Sequence, residues 1–270
     1  MSLAFDMASR AKWGGRAQAY AETFAGQCAH AISPMLDALD LQPGERLLDV
    51  GTGAGAVAVA ALVRGVRVTA ADPDADMLAL AAVAAPDAVL RQGALPDLDL
   101  GHGDFDAITA NFVLNHVGDP GASARRLGEL LRPGGRLGVS IWPAERGPLF
   151  RIWDEVVAEA GVSDLSKATL PAHLEFPRTP DGLNGLLSAA GLSVREAWLH
   201  DFEHVADPDL WWSAAERGVA SIGQVYLARP ADGQAAMREA WRRVSTHYLD
   251  ADGRLRLHGT ALIAAAARSE

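Results

Sequence analysis

The sequence of 270 residues contains one cysteine, Cys28, and has no long run of strongly apolar residues. A single thiol excludes an internal disulfide and any iron–sulfur cluster held by several cysteines. No stretch supplies the ~18 consecutive apolar residues of a membrane-spanning helix. Residues 1–12 also lack the basic segment followed by an apolar core that marks a secretory leader. The sequence therefore predicts a cytoplasmic protein without a membrane segment.

Positive charge is also scarce, because 24 Lys and Arg residues stand against 34 Asp and Glu residues and leave a net charge of −10 at pH 7. Such a chain repels phosphate backbones unless it forms a local basic patch. The densest basic pairs, at 125–126 and 242–243, stand near acidic residues and are typical of solvated helix faces. Nucleic acid is therefore not expected as a partner.

Three catalytic signatures are missing as well. The sequence has no Gly-Lys-Ser/Thr phosphate loop and no Gly-x-Ser-x-Gly turn, which argues against a P-loop nucleotidase and an α/β-hydrolase. Asn111 is followed by Phe-Val-Leu rather than by the Pro-Pro-aromatic motif of enzymes that methylate nitrogen in nucleic acids and proteins. No spacing of His, Cys and acidic residues establishes a metal site, so no metal is expected.

What the sequence does contain is a strand, a glycine turn and a helix in direct succession over residues 47–61. The first four residues are Leu-Leu-Asp-Val, apolar enough for a strand covered on both faces. Glycines at 51, 53 and 55 remove Cβ atoms where the backbone turns and a ligand approaches. The first amides of the helix point back at that ligand. Burial of the Asp49 carboxylate in this strand would cost free energy, and a cationic ligand nearby would offset that cost.

A second predicted strand ends in Asp72, twenty-one positions after Gly51 (72 − 51). An acid about 20 residues beyond a glycine turn, at the tip of the second strand, suits hydrogen bonds to ribose hydroxyls. The chain is therefore predicted to bind an adenosine-like group. Residues 51–56 also satisfy the Gly-x-Gly-x-x-Ala dinucleotide pattern, so an NAD-dependent oxidoreductase is an alternative.

The run Leu-Asp-Val-Gly-Thr-Gly-Ala-Gly at 48–55 resembles the first motif of class I S-adenosylmethionine-dependent methyltransferases. Two later runs, at 114–120 and 131–137, are similar to the ubiquinone-biosynthesis-like branch that methylates small molecules. The resemblance covers residues 45–142 well and 178–205 weakly. It implies S-adenosylmethionine as cofactor and direct methyl transfer to O, N or C of a small, secondary metabolite. A non-catalytic module that binds the cofactor is a further alternative.

The resemblance implies an α/β, Rossmann-like fold: a mostly parallel seven-stranded sheet with helices on both faces and a helical cover over the strand C-termini. Residues 1–40 are expected to form an N-terminal helical cap and residues 41–142 the cofactor-binding core. Residues 143–270 would complete the sheet, with insertions at 143–178 and 206–250 that build a substrate cover. The sequence does not determine the oligomeric state, and a homodimer is the assembly considered.

Local signals predict several element boundaries. Ser33, followed by proline, predicts a helix N-cap within residues 31–40. The Arg-Pro-Gly-Gly sequence at 132–135 is expected to separate a helix ending at Leu131 from the fifth strand. Residues 207–249 are expected to hold two helical segments.

The candidate cofactor-binding residues follow the ends of the predicted parallel strands, where open α/β sheets bind ligands. The resemblance implies that an aromatic residue of the N-terminal segment covers the cofactor. It also implies an acid after the third strand, where this chain has Ala94, so backbone amides and Leu95 are expected to bind the adenine. The candidates are Tyr20, Asp49, Gly51, Thr52, Gly53, Asp72, Pro73, Met77, Gly93, Ala94, Leu95, Asn111, Phe112 and His116.

His116 is the candidate catalytic residue, because an imidazole can act as a base near neutral pH if the acceptor must lose a proton. The alternative is a histidine that positions the loop after the fourth strand. Acidic residues Asp119, Glu145 and Glu203 are alternatives for holding a cationic amine acceptor. The candidate substrate-binding residues are Trp13, Asn115, Trp142, His200, Trp211 and Trp212.

Overall fold

The computed structural model describes residues 3–162 and 169–270. Within them, seven strands form one sheet: β1 (Arg46–Val50), β2 (Arg67–Asp72), β3 (Val89–Gln92), β4 (Phe105–Asn111), β5 (Leu131–Ile141), β6 (Leu192–Ala206) and β7 (Leu255–Arg268). Their order is β3-β2-β1-β4-β5-β7-β6. The first five strands pair in parallel, and β7 is antiparallel to both β5 and β6. The predicted fold class is confirmed.

The helices lie on both faces of this sheet and beyond the end of β5. They are α1 (Leu3–Ala11), α2 (Ala17–Glu22), α3 (Ala25–Ala29), α4 (Ile32–Ala38), α5 (Ala56–Val63), α6 (Ala75–Ala84), α7 (Pro120–Leu130), α8 (Pro148–Glu159), α9 (Pro180–Ala189), α10 (Pro208–Glu216), α11 (Ala220–Leu227) and α12 (Ala231–Val244), with 3-10 turns at Ala172–Leu174 and Ser245–Tyr248. No helix in the described ranges is both long and apolar enough to cross a bilayer.

Several helices begin where the sequence supplies a capping side chain. Asp74, Asp119, Thr179 and Asp207 each accept a hydrogen bond from a backbone amide in the first turn of the following helix. Proline follows three of these caps directly, where its fixed φ suits the first helical position and its missing amide costs nothing. These side chains therefore determine where α6, α7, α9 and α10 begin.

The central strands are buried on both faces because adjacent residues enter different cores. Leu47 packs in a cluster with α4, α5 and the helices α8, α10, α11 and α12. Leu48 points to the other face and packs with α7 and α9. Both leucines are fully buried, as the alternation of side chains along a strand requires when helices cover both sides.

Three predicted boundaries are wrong. Ser33 is not an N-cap, because α4 begins at Ile32 after the buried Ala31. Proline is tolerated at position 34 because a backbone N–H in this first turn would have no intrahelical acceptor, and proline has no N–H to leave unpaired. The Pro-Gly-Gly sequence does not precede β5 but bulges within it: Leu131 already pairs with Phe105 before the register shifts.

The region 207–249 holds three α-helices and a 3-10 turn rather than two helical segments. Gly218, with a φ of +76°, lies between α10 and α11, and this backbone conformation interrupts a helix. We call the helices α8, α10, α11 and α12 the cover. Indole rings stack inside it, since Trp153 and Trp212 lie 5.1 Å and 5.5 Å from Trp241.

Candidate active site

A cavity of about 310 Å³ lies at the carboxyl ends of β1, β2 and β4. This is the point where the strand order reverses, as expected for a ligand crevice in an open α/β sheet. Of the predicted cofactor-binding residues, all but Asp49 and Thr52 line it: Tyr20, Gly51, Gly53, Asp72, Pro73, Met77, Gly93, Ala94, Leu95, Asn111, Phe112 and His116. We call it the inner cavity.

The glycine turn forms one wall of the inner cavity. Gly51 has a φ of +68°, and a Cβ added to it would lie 2.5 Å from the Cγ2 atom of Val113. Gly53 also has a positive φ, of +53°, and its amide donates to the Oδ2 atom of Asp72 at 2.9 Å. The turn therefore requires glycine for its conformation and for the space beside the loop that follows β4.

Asp72 is held by backbone amides on both carboxylate oxygens. The amide of Asp74 donates to Oδ1 and that of Gly53 to Oδ2, each at 2.9 Å. Burial raises the pKa of Asp72 above its usual value, and these two hydrogen bonds oppose that shift. Each oxygen can still accept a further hydrogen bond, so the side chain is fixed in place but not saturated.

Asp49 lies behind the turn, with only 1% of its surface exposed. Its Oδ1 atom accepts a hydrogen bond from the Thr109 hydroxyl at 2.9 Å. The Thr52 hydroxyl lies near enough to affect the carboxyl group but outside hydrogen-bond geometry, so Asp49 Oδ2 and Thr52 Oγ1 both lack a partner. Burial raises the pKa of Asp49 to about 7. A cation in the inner cavity would favour its ionised form.

The loop after β4 is fixed from several sides. Ser140 donates a hydrogen bond to the side chain of Asn111 at 2.6 Å, and Asn111 donates to the carbonyl of Cys28 at 3.2 Å. Phe112 has a φ of +56°, which is rare for an aromatic residue and costs conformational energy. Its ring stacks on Trp142 at 3.9 Å. The strained backbone thus places an aromatic pair at the edge of the cavity.

The N-terminal segment lies against this loop. Asp6 on α1 accepts a buried hydrogen bond from the amide of Gly118 at 2.7 Å. Ser9 Oγ lies 3.4 Å from the Nδ1 atom of His116. The Trp13 ring meets the rings of His116 and Tyr20 edge-on at 5.6 Å and 5.4 Å. Residues of α1 and the turn after it therefore form part of the cavity wall.

His116 is neutral at physiological pH. Burial lowers its pKa to about 3, with further lowering by the positive charges of Lys12 and Arg178. A base with so low a pKa takes up a proton poorly near pH 7. The side chain suits a positioning role, since it contacts both Ser9 and Trp13.

A second cavity of about 790 Å³, which we call the outer cavity, adjoins the first. Trp13, Gln27, His116 and Trp142 line both cavities, and we call these four residues the junction. Asn115 lies on the outer side, and its Oδ1 atom is buried without a partner. Much of the outer wall is aromatic, with contributions from Phe5, Phe24, Phe150 and Trp153.

Three predicted substrate-binding residues are not part of either cavity lining. Trp211 is 1% exposed and packs against Phe24 and His204 at ring distances of 4.8 Å each. Trp212 is also buried, and its indole donates to Glu216. His200 lies on β6 with its ring 6.4 Å from that of Phe202. The two tryptophans occupy the core of the cover because their faces pack against other aromatic rings.

The acidic residues considered for an amine acceptor also lie elsewhere. Asp119 caps α7, and Glu203 pairs with Arg256 at 2.6 Å. Glu145 is exposed, and none of the three lines the two cavities. By contrast, Gln27 at the junction was not predicted, because no motif marks it in the sequence.

Comparison with known proteins places this site in a family. A model of the methyltransferase domain family matches residues 20–197. A demethylmenaquinone methyltransferase from Beutenbergia cavernae is 36% identical over 105 residues, 39% of this chain and 44% of that protein. A ubiquinone biosynthesis O-methyltransferase from Marinobacter nauticus is 33% identical over 178 residues, 62% of this chain and 73% of that protein. The chain spans about half the length of several curated relatives that it matches.

Among solved structures, the YcgJ protein from Bacillus subtilis is 19% identical to this chain. The match covers 89% of this chain and 99% of that chain with a TM-score of 0.56, and it supports the fold alone. The family match bears on the glycine turn directly, because the matched residues include the turn, Asp72 and the loop after β4. The match therefore supports the methyltransferase interpretation of the glycine turn and not the NAD-dependent oxidoreductase. The chain belongs to the methyltransferase domain family.

Proposed function

We propose that the protein is an S-adenosylmethionine-dependent methyltransferase that acts on a small molecule. The observation that carries this proposal is the pair of adjoining cavities, one at the glycine turn and one under the cover, which meet at the junction. A transferase that brings two substrates together needs two such sites with a shared wall. Family membership supports the same conclusion.

The residues of the inner cavity fit the cofactor. Asp72 has free acceptor capacity for ribose hydroxyls, and Met77 is an apolar wall residue with 5% exposure. The unpartnered oxygen of Asp49 suits a site that receives a cation. We therefore propose that the predicted cofactor residues act as a set, with Asp49 and Thr52 supporting the turn from behind. When bound, S-adenosylmethionine supplies an electrophilic methyl group on a sulfonium.

The outer cavity is the proposed acceptor site. Its aromatic walls suit a flat, largely apolar molecule, and two relatives carry names that refer to demethylmenaquinone and ubiquinone. We propose an aromatic secondary metabolite as acceptor. Trp13 and Trp142 would orient it at the junction, and Asn115 would contact it from the outer side.

Catalysis would depend on placement rather than on a protein base. Direct displacement requires the acceptor atom, the methyl carbon and the sulfur to be nearly collinear in a site that excludes water. His116 would serve by holding the loop after β4 and the ring of Trp13 in position. Its low pKa makes general-base catalysis a minor contribution near pH 7.

Calorimetry and methyl transfer test this proposal together. We expect S-adenosylmethionine to bind with a Kd well below ~1 mM and NADH not to bind. Incubation with cofactor labelled on the methyl group, in a fractionated metabolite extract, is expected to label a small molecule that mass spectrometry identifies. Absence of cofactor binding would refute the proposal, and binding without transfer to any fraction would favour a non-catalytic module.

Other expectations from the sequence stay predictions. These are a homodimer, no nucleic-acid partner, a cytoplasmic location and the division into a cap (1–40), a core (41–142) and a remainder that bears the cover (143–270). Light scattering after gel filtration, a nucleic-acid shift assay and fractionation of cells measure the first three. Limited proteolysis tests the division, because exposed boundaries between units are cleaved first.

A further inference from the structure

Gln27 is a buried polar residue at the point where the two cavities meet. It is the one residue of α3 that is buried, with 7% of its surface exposed, and it lines both the inner and the outer cavity. Burial of a primary amide costs free energy unless its oxygen and its N–H groups are paired. Within the described ranges, no residue forms a hydrogen bond with the side chain of Gln27. Its amide is therefore available to molecules that occupy the cavities.

The backbone that carries Gln27 is held on both sides of the residue. Phe24, which directly precedes α3, packs on Trp211 with ring centroids 4.8 Å apart. The carbonyl of Cys28, the next residue after Gln27, accepts a hydrogen bond from the side chain of Asn111 at 3.2 Å. A side chain on a backbone fixed in this way is positioned before a ligand arrives, which lowers the entropic cost of a contact with that ligand.

The other junction residues do not offer the same chemistry. The indole groups of Trp13 and Trp142 can donate a hydrogen bond but cannot accept one. The Nδ1 atom of His116 lies 3.4 Å from the Ser9 hydroxyl. Gln27 thus brings to the junction a carbonyl oxygen that no described residue occupies. An amide oxygen accepts a hydrogen bond without taking the proton, so it can orient a donor group near pH 7.

We propose that the carbonyl oxygen of Gln27 lies where the methyl group passes from the inner to the outer cavity, and that it accepts a hydrogen bond from the O–H or N–H group that is methylated. This inference rests on the proposed function and adds a residue to it. The contact directs the lone pair of the reacting atom at the methyl carbon. In the transfer, the reacting atom bonds to that carbon as the S–C bond breaks, the electron pair stays on sulfur, and the acceptor's proton passes to solvent rather than to Gln27.

Sinefungin tests this contact without turnover. In this analogue of S-adenosylmethionine, a carbon that bears an amino group replaces the methylated sulfur, so N–H groups occupy the place of the methyl group. S-adenosylhomocysteine has neither group and is the reference ligand. Because the ammonium of sinefungin donates to the Gln27 oxygen, we expect Gln27→Met to weaken its binding about 10-fold or more in calorimetric titration. The Kd of S-adenosylhomocysteine is expected to stay within about 3-fold of its value in the unmodified protein.

Further variants separate this contact from a structural role. Gln27→Glu keeps an oxygen acceptor and is expected to retain the binding of sinefungin. Gln18→Met is the matched control, since Gln18 is exposed on α2 and lines neither cavity, and it is expected to bind both ligands normally. Gln27→Met gives up no hydrogen bond within the described chain, so its Tm is expected to stay within about 2 °C. Transfer of the labelled methyl group at saturating cofactor is expected to fall about 10-fold or more in Gln27→Met alone.

The possible failures are distinguishable. An unchanged ratio of the two affinities in Gln27→Met, normal methyl transfer in that variant, or an equal loss of sinefungin binding in Gln27→Glu overturns this inference while the proposed function stands. Equal losses of both ligands with a lower Tm in Gln27→Met would show that Gln27 supports the fold, and this result also overturns the inference. Failure of the unmodified protein to bind S-adenosylmethionine or S-adenosylhomocysteine overturns the proposed function itself.

Discussion

The protonation state of Asp49 should change when the cofactor binds. Its pKa is raised to about 7 by burial, so a substantial fraction of the cofactor-free protein carries a proton on this carboxyl near pH 7. A bound sulfonium nucleoside adds positive charge and lowers that pKa. Binding should therefore release protons, most strongly near pH 7 and much less at pH 8.5, where the carboxyl is already ionised.

Calorimetric titration in two buffers of different ionisation enthalpy measures this release. Asp49→Asn is expected to remove most of it, because the amide cannot ionise and keeps an oxygen for the Thr109 hydroxyl. A binding enthalpy that is independent of the buffer in the unmodified protein would contradict the linkage.

Asp72 allows a prediction about affinity. Asp72→Asn replaces one oxygen by an amide group, so one of the two backbone amides, of Gly53 or Asp74, loses its acceptor. The change also removes the negative charge and an acceptor oxygen that Asp72 is proposed to offer to the ribose hydroxyls. A lost hydrogen bond between the cofactor and a charged group costs about 1.5–3 kcal/mol, which corresponds to a roughly 10- to 100-fold weaker Kd for S-adenosylmethionine. Asp76→Asn is the control, because Asp76 is exposed in the first turn of α6, and it should bind the cofactor normally.

At the scale of single residues, the sequence predicted the inner cavity better than the outer one. Strand ends and a glycine turn are local patterns, and Gly51, Asp72 and Asn111 all line the cavity that they suggested. Gln27 has no such pattern, because its segment reaches the junction through tertiary packing. The prediction that Trp211 binds substrate was wrong for the same reason, because this side chain packs in the core of the cover and lines neither cavity.

At the scale of elements, we expect a mutation in the cover to impair the outer cavity without weakening cofactor binding at the sheet. Gly223 on α11 packs against the backbone of Gly218, and a Cβ added at 223 would overlap the Gly218 carbonyl carbon. Backbone atoms cannot move aside as a side chain can, so we expect Gly223→Ala to destabilise the cover by about 1–3 kcal/mol. Ile222 and Val225 line the outer cavity beside it.

The expected result is slower transfer of the labelled methyl group to the metabolite fraction, with the Kd of S-adenosylmethionine unchanged within about 3-fold and the Tm lower by about 2–4 °C for each kcal/mol of destabilisation. Gly185→Ala on α9 is the matched control, because an added Cβ there meets no atom within 4 Å. Alanine should stabilise that helix slightly. Equal losses of cofactor binding and of methyl transfer in Gly223→Ala would show that the cover also supports the cofactor site.

Element boundaries were predictable where one side chain decides them. Thr179 and Asp74 cap helices through their own oxygens, and the sequence shows both. Ser33 failed because the first turn of α4 is set by the packing of the buried Ala31 and Met35. A short-range signal cannot anticipate such packing.

At the scale of the whole molecule, the sheet was predictable because its central strands are apolar on both faces and its connections follow the family pattern. The packing of the cover was not, since it depends on contacts between segments distant in sequence. One such contact joins the N-terminal segment to the edge of the sheet: His30 Nε2 lies 3.2 Å from His204 Nδ1. His30 directly follows α3, whose residues Gln27 and Cys28 line the inner cavity, so the pair links this segment to β6.

This pair predicts how stability depends on pH. Burial lowers the pKa of His204 to about 4, with a smaller contribution from His30, and burial likewise lowers the pKa of His30. Between pH 6.5 and about 4 the unfolded chain therefore binds more protons at these sites than the folded chain does. The stability that the neutral pair contributes is present above pH 6.5 and is lost as the pH falls toward 4. The raised pKa of Asp49 acts in the opposite sense over pH 4–7, so a difference between two proteins isolates the histidines.

His204→Gln keeps a polar side chain at this position but cannot gain a proton. At pH 7.5 the unmodified protein should have the higher Tm, because its pair is neutral and its ring packs on Trp211 at 4.8 Å. By pH 4.5 that advantage should shrink or reverse, since only the unmodified protein still has this buried histidine to protonate on unfolding. Calorimetric scans of both proteins at the two pH values measure the change. A Tm difference that stays constant would mean that the histidine pair holds the N-terminal segment to β6 by packing alone.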